Sequence, residues 1–145
     1  MRRLLLGLLL AMGLAAGAYA QGMQPIAGIA AGAVSYAYNS LASDNSTLIK
    51  GSPGNVYQVI AVNTTGTIYY LKFYDKKTAP TCGTDTVKFI AAIPFGQSSS
   101  GGGFSIQIPV GVSFFTGLGF CITANAAFND DTSAATGITL DVIYK

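Results

Sequence analysis

Cys82 and Cys121 are the only thiols in the 145-residue chain, and they are the first candidates for chemistry. The sequence contains no His, so the cysteine–histidine pair of a thiol enzyme cannot form. Two thiols without His also leave the usual four-ligand zinc sets incomplete. In an oxidising compartment an isolated pair usually bridges, and closing a loop of about 40 residues stabilises a fold by roughly 4 kcal/mol. We therefore predict a Cys82–Cys121 disulfide, with two buried free thiols as the alternative.

Aspartate supplies every acidic side chain, because the sequence has no Glu. Asp75 and Asp85 flank a long loop, but nothing marks the cleft in which a glycosidase raises the pKa of one carboxyl group. Asp130 and Asp131 lie in a polar loop whose oxygen atoms could hold Ca²⁺, although the spacing of an EF-hand is absent. Solvated loop acids are the default interpretation, and we predict no catalytic residue, no cofactor and no bound metal.

The N-terminus has the features of a secretory signal peptide. Arg2 and Arg3 precede an apolar run of about 13 residues, shorter than the ~20 residues that span a bilayer. Ala18-Tyr19-Ala20 then gives the small-residue pattern of a cleavage site. This order predicts a signal peptide over residues 1–20 and an exported protein, with a retained hydrophobic anchor as the alternative.

Cleavage after residue 20 leaves a neutral chain of 145 − 20 = 125 residues. The two Arg residues leave with the signal, so 8 − 2 = 6 Lys balance six Asp. A chain of this kind lacks the basic footprint of nucleic-acid-binding proteins and the polybasic patch that binds anionic lipid. Only 10% of residues are charged and 50% are hydrophobic, which together with near-zero net charge favours association. The missing His, Glu and Arg argue against an enzyme.

Short β-rich runs separated by turn residues fill the chain from Ser35 onward. About eight strands at regular spacing predict an all-β fold, a single antiparallel β-sandwich of jelly-roll-like type over residues 35–145. Residues 21–34, which are rich in Ala and Gly, are predicted to form an N-terminal arm. The Ser-Ser-Ser-Gly-Gly-Gly run at residues 98–103 is predicted to be a flexible tip between strands.

Alternation along the predicted strands separates core from surface, since successive side chains of a strand point to opposite faces. Tyr69, Leu71 and Phe73 fall on the side predicted to face the core. By the same rule Val56, Ile60 and Val62 share one face, and the inward positions of a later strand are Val87, Phe89, Ala91 and Ile93.

The faces opposite the predicted core are unusually apolar. Alternation turns Tyr70 and Tyr74 outward, and it places Ile90 outward together with Lys88. Tyr57 is a fourth large side chain on such a face. Three interpretations are open, namely cross-strand aromatic packing within one chain, an interface with another chain, and a platform that stacks on sugars. We expect Tyr70, Tyr74 and Ile90 to be covered by another chain.

Three stretches resemble small tailed-bacteriophage and prophage proteins. The most specific is the loop from Tyr74 to Thr86, which matches the family pattern Y-D-K-x-T-A-P-T-x-G-T-D-T after an aromatic strand. Residues 115–123 and the lead-in at residues 50–57 agree with it, so the resemblance covers about residues 46–145. It implies a virion-associated β-sandwich of mostly unassigned role, such as a head decoration or tail-associated subunit. It brings no catalytic residues.

An export signal and a cysteine pair distinguish this chain from the family, whose members usually lack both. Because phage heads and tails assemble in the reducing cytoplasm, a cleaved and disulfide-bonded form would act outside it. We predict a non-enzymatic structural or assembly subunit, either exported (periplasmic, extracellular or on the cell surface) or in a virion if the N-terminal segment is retained. The predicted partners are other copies of the chain or another structural protein, without nucleic acid and without a stable membrane span. The alternative function is an exported glycan- or receptor-binding β-sandwich module.

Overall fold

The computed structural model describes residues 31–96 and 101–145, so the predicted signal peptide and most of the predicted arm lie outside the described residues. The described residues form strands and no helix. In chain order the strands are β1 Val34–Asn39, β2 Thr47–Lys50, β3 Gly54–Asn63, β4 Tyr69–Asp75, β5 Val87–Ile93, β6 Gly102–Phe114, β7 Leu118–Thr123 and β8 Ile138–Tyr144.

The strands form two four-stranded antiparallel sheets packed face to face. Sheet 1 has the order β1-β8-β3-β6, and sheet 2 has the order β2-β7-β4-β5. Of the consecutive strands only β4 and β5 pair with each other, because every other connection crosses to the opposite sheet. This is the two-sheet arrangement of a jelly roll, so the predicted antiparallel β-sandwich is confirmed. Strands β5 and β6 are edge strands of the two sheets on the same side of the sandwich.

The core lies between the sheets and is rich in aromatic rings. Tyr69, Leu71 and Phe73 all point into it, as the alternation predicts. The ring of Phe73 lies 6.1 Å from that of Phe114 and 6.3 Å from that of Phe120, within the range of favourable aromatic pairs. Each buried side chain of this size contributes roughly 1.5–3 kcal/mol relative to leaving it in water.

A β-bulge in β5 changes the predicted faces near its start. Phe73 pairs with Phe89, but the next residue, Tyr74, pairs with Val87, so Lys88 is the extra residue. An extra residue reverses the alternation beyond it. Val87 therefore lies on the outer face beside Tyr74, and the prediction that it points inward is wrong. The Lys88 ammonium lies instead near the end of the core, 5.3 Å from the centre of the Phe114 ring.

A second irregularity shifts the face assignment of β3 and lengthens β6. Tyr57 is an extra residue in β3, so Val59 is buried whereas Val62 is 42% exposed, and the predicted common face of Val56, Ile60 and Val62 is wrong. Residues 108–111 of β6 form an arch opposite Tyr57. Gly102 and its neighbour already pair with β3, so β6 is one strand of 13 residues that begins inside the predicted tip. Residues 97–100 of that tip lie outside the described residues.

Candidate interaction surfaces

Two loops of the chain cover the outer face of sheet 2. The first, the disulfide loop (residues 76–86), follows β4. The second, the 124–133 loop, follows β7 and is joined to its end by an isolated bridge between Thr123 and Ser133. The loops approach each other at Gly83, where an added Cβ would lie 2.9 Å from the Asn129 carbonyl oxygen. The two loops of this chain therefore cover much of the outer face of sheet 2, which was predicted to be covered by another chain.

The predicted disulfide is confirmed. Cys82 in the disulfide loop is bonded to Cys121 in the middle of β7, with their Cα atoms 6.1 Å apart. Beside the bridge, Pro80 packs directly on Gly119, where a Cβ would lie 2.9 Å from the proline Cδ. The bond and this close approach hold the loop flat against the sheet. A disulfide of this kind fits an exported protein.

The prediction that Tyr74 is covered by another chain is wrong. Its side chain does point outward from β4, but it is 1% exposed because it packs against Cys82, Cys121 and Val87 under the disulfide loop. Burial raises the pKa of the Tyr74 hydroxyl to about 12, with a further contribution from Asp85. Tyr74 is thus a buried residue of this chain, and it offers no surface to another one.

Lys72 is a buried cation that the sequence did not reveal. Its side chain is 0% exposed, and its ammonium donates hydrogen bonds to the carbonyl oxygens of Ala127 (2.7 Å) and Asp130 (3.0 Å). Burial lowers the pKa of Lys72, whereas the nearby carboxylates of Asp130 and Asp131 oppose this shift. Hydrogen bonds to a charged donor are among the stronger ones in proteins. Lys72 therefore ties the 124–133 loop to the centre of sheet 2.

Asp75 organises the turn between β6 and β7. Its carboxylate accepts hydrogen bonds from the backbone amides of Phe115 (2.9 Å), Thr116 (2.7 Å) and Gly117 (3.3 Å). The ammonium of Lys88 lies 3.0 Å away and forms a salt bridge with it. Burial alone would raise the pKa of Asp75, but these donors hold it well below its usual range. The carboxylate is therefore a fixed anion that shapes one end of the sandwich.

Asp85 and Asp130 have structural partners as well. The ammonium of Lys76, 2.5 Å from the carboxylate, lowers the pKa of Asp85. Burial alone would raise the pKa of Asp130. Hydrogen bonds from Thr132 and Asn125 outweigh this effect and lower the pKa to about 2. The general acid of a glycosidase needs a raised pKa, whereas the pKa values of these two carboxyl groups are lowered. In the part of the chain that the structure describes, no group of three potential metal ligands comes together.

These aspartates make stability sensitive to acid. Their pKa values are lower in the folded chain than the ordinary value near 3.9, so the folded state binds fewer protons and its stability is lost as the pH falls. We expect the melting temperature to fall between about pH 4 and pH 2, the interval spanned by Asp130. Asp75→Asn should lower the free energy of unfolding at pH 7 by about 2 kcal/mol, because an amide accepts fewer of these hydrogen bonds. Thermal unfolding monitored by circular dichroism at each pH measures both effects. Parallel pH profiles for the wild type and Asp75→Asn would contradict the role given to Asp75.

Two asparagines that begin glycosylation sequons are buried within the fold. The Asn45 amide donates to the carbonyl oxygens of Leu41 (3.1 Å) and Ser43 (2.7 Å). The Asn63 amide donates to the carbonyl oxygens of Thr67 (2.8 Å) and Ile93 (3.3 Å). Both side chains thus fix turns in the folded chain and are closed to modification there.

The four predicted interface residues do not form one patch. Tyr70 and Ile90 lie on the outer face of sheet 2, partly exposed, at the edge that the two loops leave open. Tyr57 belongs to sheet 1 and packs over Gly111 of the arch. It also borders an open cleft of about 530 Å³ at the end of the sandwich where β2 ends and β3 begins. We name this the basic cleft, and its lining residues are Lys50, Pro53, Gly54, Asn55, Tyr57, Ser113, Phe114, Phe115 and Lys145.

Other apolar side chains are far more exposed than the predicted ones. Val110 at the top of the arch is 88% exposed, Phe115 beside the basic cleft is 73% exposed, and Phe128 in the 124–133 loop is 64% exposed. None of these three residues is among the interface residues predicted from the sequence. Val110 lies between Pro109 and Gly111, and Phe128 precedes Asn129, so both stand beside residues that are frequent in turns. Phe115 has no such signal in its neighbours.

No family model, curated protein or solved structure matches this chain. Within residues 31–96 and 101–145 we find no helix that could cross a bilayer.

Proposed function

We propose that this protein is a non-enzymatic structural or assembly subunit that associates with copies of itself. In this proposal it is an exported relative of the virion-associated phage proteins that it resembles, acting in the periplasm, outside the cell or on the cell surface. If the N-terminal segment is retained, the protein is instead part of a virion.

The observation that carries the proposal is the edge strand β6. Its 13 residues include no charged side chain, although β6 lies at the edge of sheet 1 with one side unpaired. Long edges of this type are templates for association, and soluble monomers usually protect them with charges. Pro109 removes one backbone donor, and Gly111 has a positive φ of 73° in the arch, so this edge is not flat. We therefore expect the contact to be made by side chains, with Val110 at its centre.

The neighbouring edge strand extends this apolar side of the sandwich. Lys88 is the only charged residue of β5, and Ile90 lies on the open part of its outer face. Ile106 of β6 points toward the core side and is still 36% exposed, because the edge of sheet 1 is incompletely covered. Exposed apolar side chains on an uncovered edge favour a protein–protein contact. Jelly rolls are also the fold of many viral capsid proteins, a likeness of fold alone.

The experiment compares the mature protein (residues 21–145) with Val110→Lys. Placing an ammonium group in an apolar contact leaves it buried without a partner, so we expect the dissociation constant to rise by at least about tenfold. Size-exclusion chromatography with light scattering, over a series of protein concentrations, measures the change.

Gln107→Lys is the matched control, because it adds the same side chain to an exposed position of the same strand that already carries a polar group. It should associate like the wild type. Equal association of the wild type and Val110→Lys would show that β6 does not make the contact. Circular dichroism of both variants establishes that they are folded.

A second candidate function is an exported module that binds a glycan or a receptor. The specific observation in its favour is the basic cleft, where Tyr57 and the exposed Phe115 could stack on a sugar ring. A protein that stays monomeric at high concentration and binds immobilised glycans would favour this function over assembly.

A further inference from the structure

Four of the six lysines of the folded domain gather at one end of the sandwich, which we name the basic end. Pairing brings together the end of β2 at Lys50, the start of β3 and the end of β8 at Lys145. Lys77 follows β4 at the same end and lies close to Gly51 and Gly117, and Lys88 begins β5 there. Of these four lysines only Lys88 has a salt bridge among the described residues, to Asp75. The basic end is therefore positively charged.

The basic cleft opens in this end and combines cations with aromatic rings. The Lys50 side chain lies along it, with its Cδ 3.3 Å from the position of a Cβ on Gly54. Within the described ranges the Lys50 ammonium makes no hydrogen bond or salt bridge. The exposed Phe115 ring forms one wall, and the Lys88 ammonium lies 4.6 Å from its centre. A ligand that offers an apolar side chain and a carboxylate fits these groups.

The chain itself carries such a group in the 124–133 loop. We name residues 127–131 the acidic tip, because the exposed Phe128 is followed by Asn129, Asp130 and Asp131. Lys72 holds the backbone of the tip to sheet 2 through two hydrogen bonds. The Asp130 carboxylate accepts hydrogen bonds from the side chains of Asn125 and Thr132. Asp131 is exposed, and its carboxylate has no hydrogen bond or salt bridge to any residue that the structure describes. The tip is thus a fixed projection that presents a phenyl ring and a free carboxylate.

We infer that the basic cleft binds the acidic tip of a second copy of this chain, with Phe128 against Tyr57 and Phe115 and with Asp131 facing Lys50. The inference rests on the proposed function, since it adds to the β6 contact a second pair of surfaces through which copies of the chain assemble. No residue lines both surfaces, because the tip borders a separate cleft beside residues 83–87. The contact joins two different surfaces, so repeating it head to tail produces a ring or a filament, whereas two reciprocal contacts close a dimer. Near-zero net charge favours this contact, since the copies have complementary patches without overall repulsion.

The test exchanges the two charges. Lys50→Asp and Asp131→Lys each place like charges against each other across the contact, so each variant alone should associate at least about tenfold more weakly than the wild type. An equimolar mixture of the two should regain wild-type association, because the introduced aspartate of one variant then faces the introduced lysine of the other. Sedimentation velocity at a fixed total concentration measures all three samples. Raising the salt concentration should weaken wild-type association.

Thr139→Lys and Thr139→Asp are the matched controls, since Thr139 is exposed on the outer face of sheet 1 and lines neither surface. Both should associate like the wild type. If the wild type associates and the charge variants associate equally well, the inference is overturned while the proposed function stands. If the single variants are weakened but the mixture does not recover, the two charges do not face each other and the inference is also overturned. A wild type that stays monomeric overturns the inference and the proposed function together.

Discussion

Replacing both cysteines, as Cys82→Ala with Cys121→Ala, is expected to lower the free energy of unfolding by about 4 kcal/mol. The bridge closes a loop of 39 residues, and its main effect is to reduce the conformational entropy of the unfolded chain. It also fixes the disulfide loop over Tyr74, so the loss of the bridge loosens the cover on the outer face of sheet 2. Urea unfolding followed by circular dichroism measures the difference in free energy.

Reduction provides the matched control for this variant. In the presence of reductant, the wild type should have the same urea midpoint as the double variant. The same reductant should leave the urea midpoint of the double variant unchanged. Coincident curves for the oxidised wild type and the double variant would contradict the stabilising role. The bridge is compatible with an oxidising compartment, where disulfides form and persist.

Lys72→Met is expected to cost about 3 kcal/mol of folding free energy. The methionine fills similar space but leaves the carbonyl oxygens of Ala127 and Asp130 without their donor, and a buried acceptor without a partner costs about 1–3 kcal/mol. Relief of the cost of burying the ammonium offsets part of this loss. Urea unfolding gives the free energy, and amide hydrogen exchange should become faster in residues 124–133.

Lys77→Met is the control for the loss of a lysine, because Lys77 is exposed in the disulfide loop. It should change stability by less than about 0.5 kcal/mol, as is usual for surface substitutions. If Lys72→Met and Lys77→Met have equal effects, Lys72 does not hold the 124–133 loop.

Local patterns were sufficient to predict the β-sandwich and the core-facing side of β4. Tyr69, Leu71 and Phe73 alternate with polar or larger outward groups, and a two-residue period is a direct consequence of strand geometry. The Cys82–Cys121 bridge followed from the number of cysteines and the predicted export signal, without knowledge of the fold.

The errors arise where geometry depends on contacts distant in sequence. The bulges at Lys88 and Tyr57 each add one residue to a strand, and an alternating sequence reads the same with or without them. Lys72 occupies an outward position, where a lysine normally indicates solvent. It is buried because the 124–133 loop, about 55 residues further along the chain, folds back over it. The disulfide loop is held over Tyr74 by the bond from Cys82 to Cys121, which lies 39 residues further along the chain.

Sedimentation velocity of the protein without its predicted signal peptide (residues 21–145), over a wide range of concentrations, tests self-assembly most directly. We expect the average sedimentation coefficient to rise with concentration, as monomers convert to larger species through the β6 edge and the basic cleft. A single monomeric species at the highest concentration, in low salt and with the disulfide intact, would contradict it.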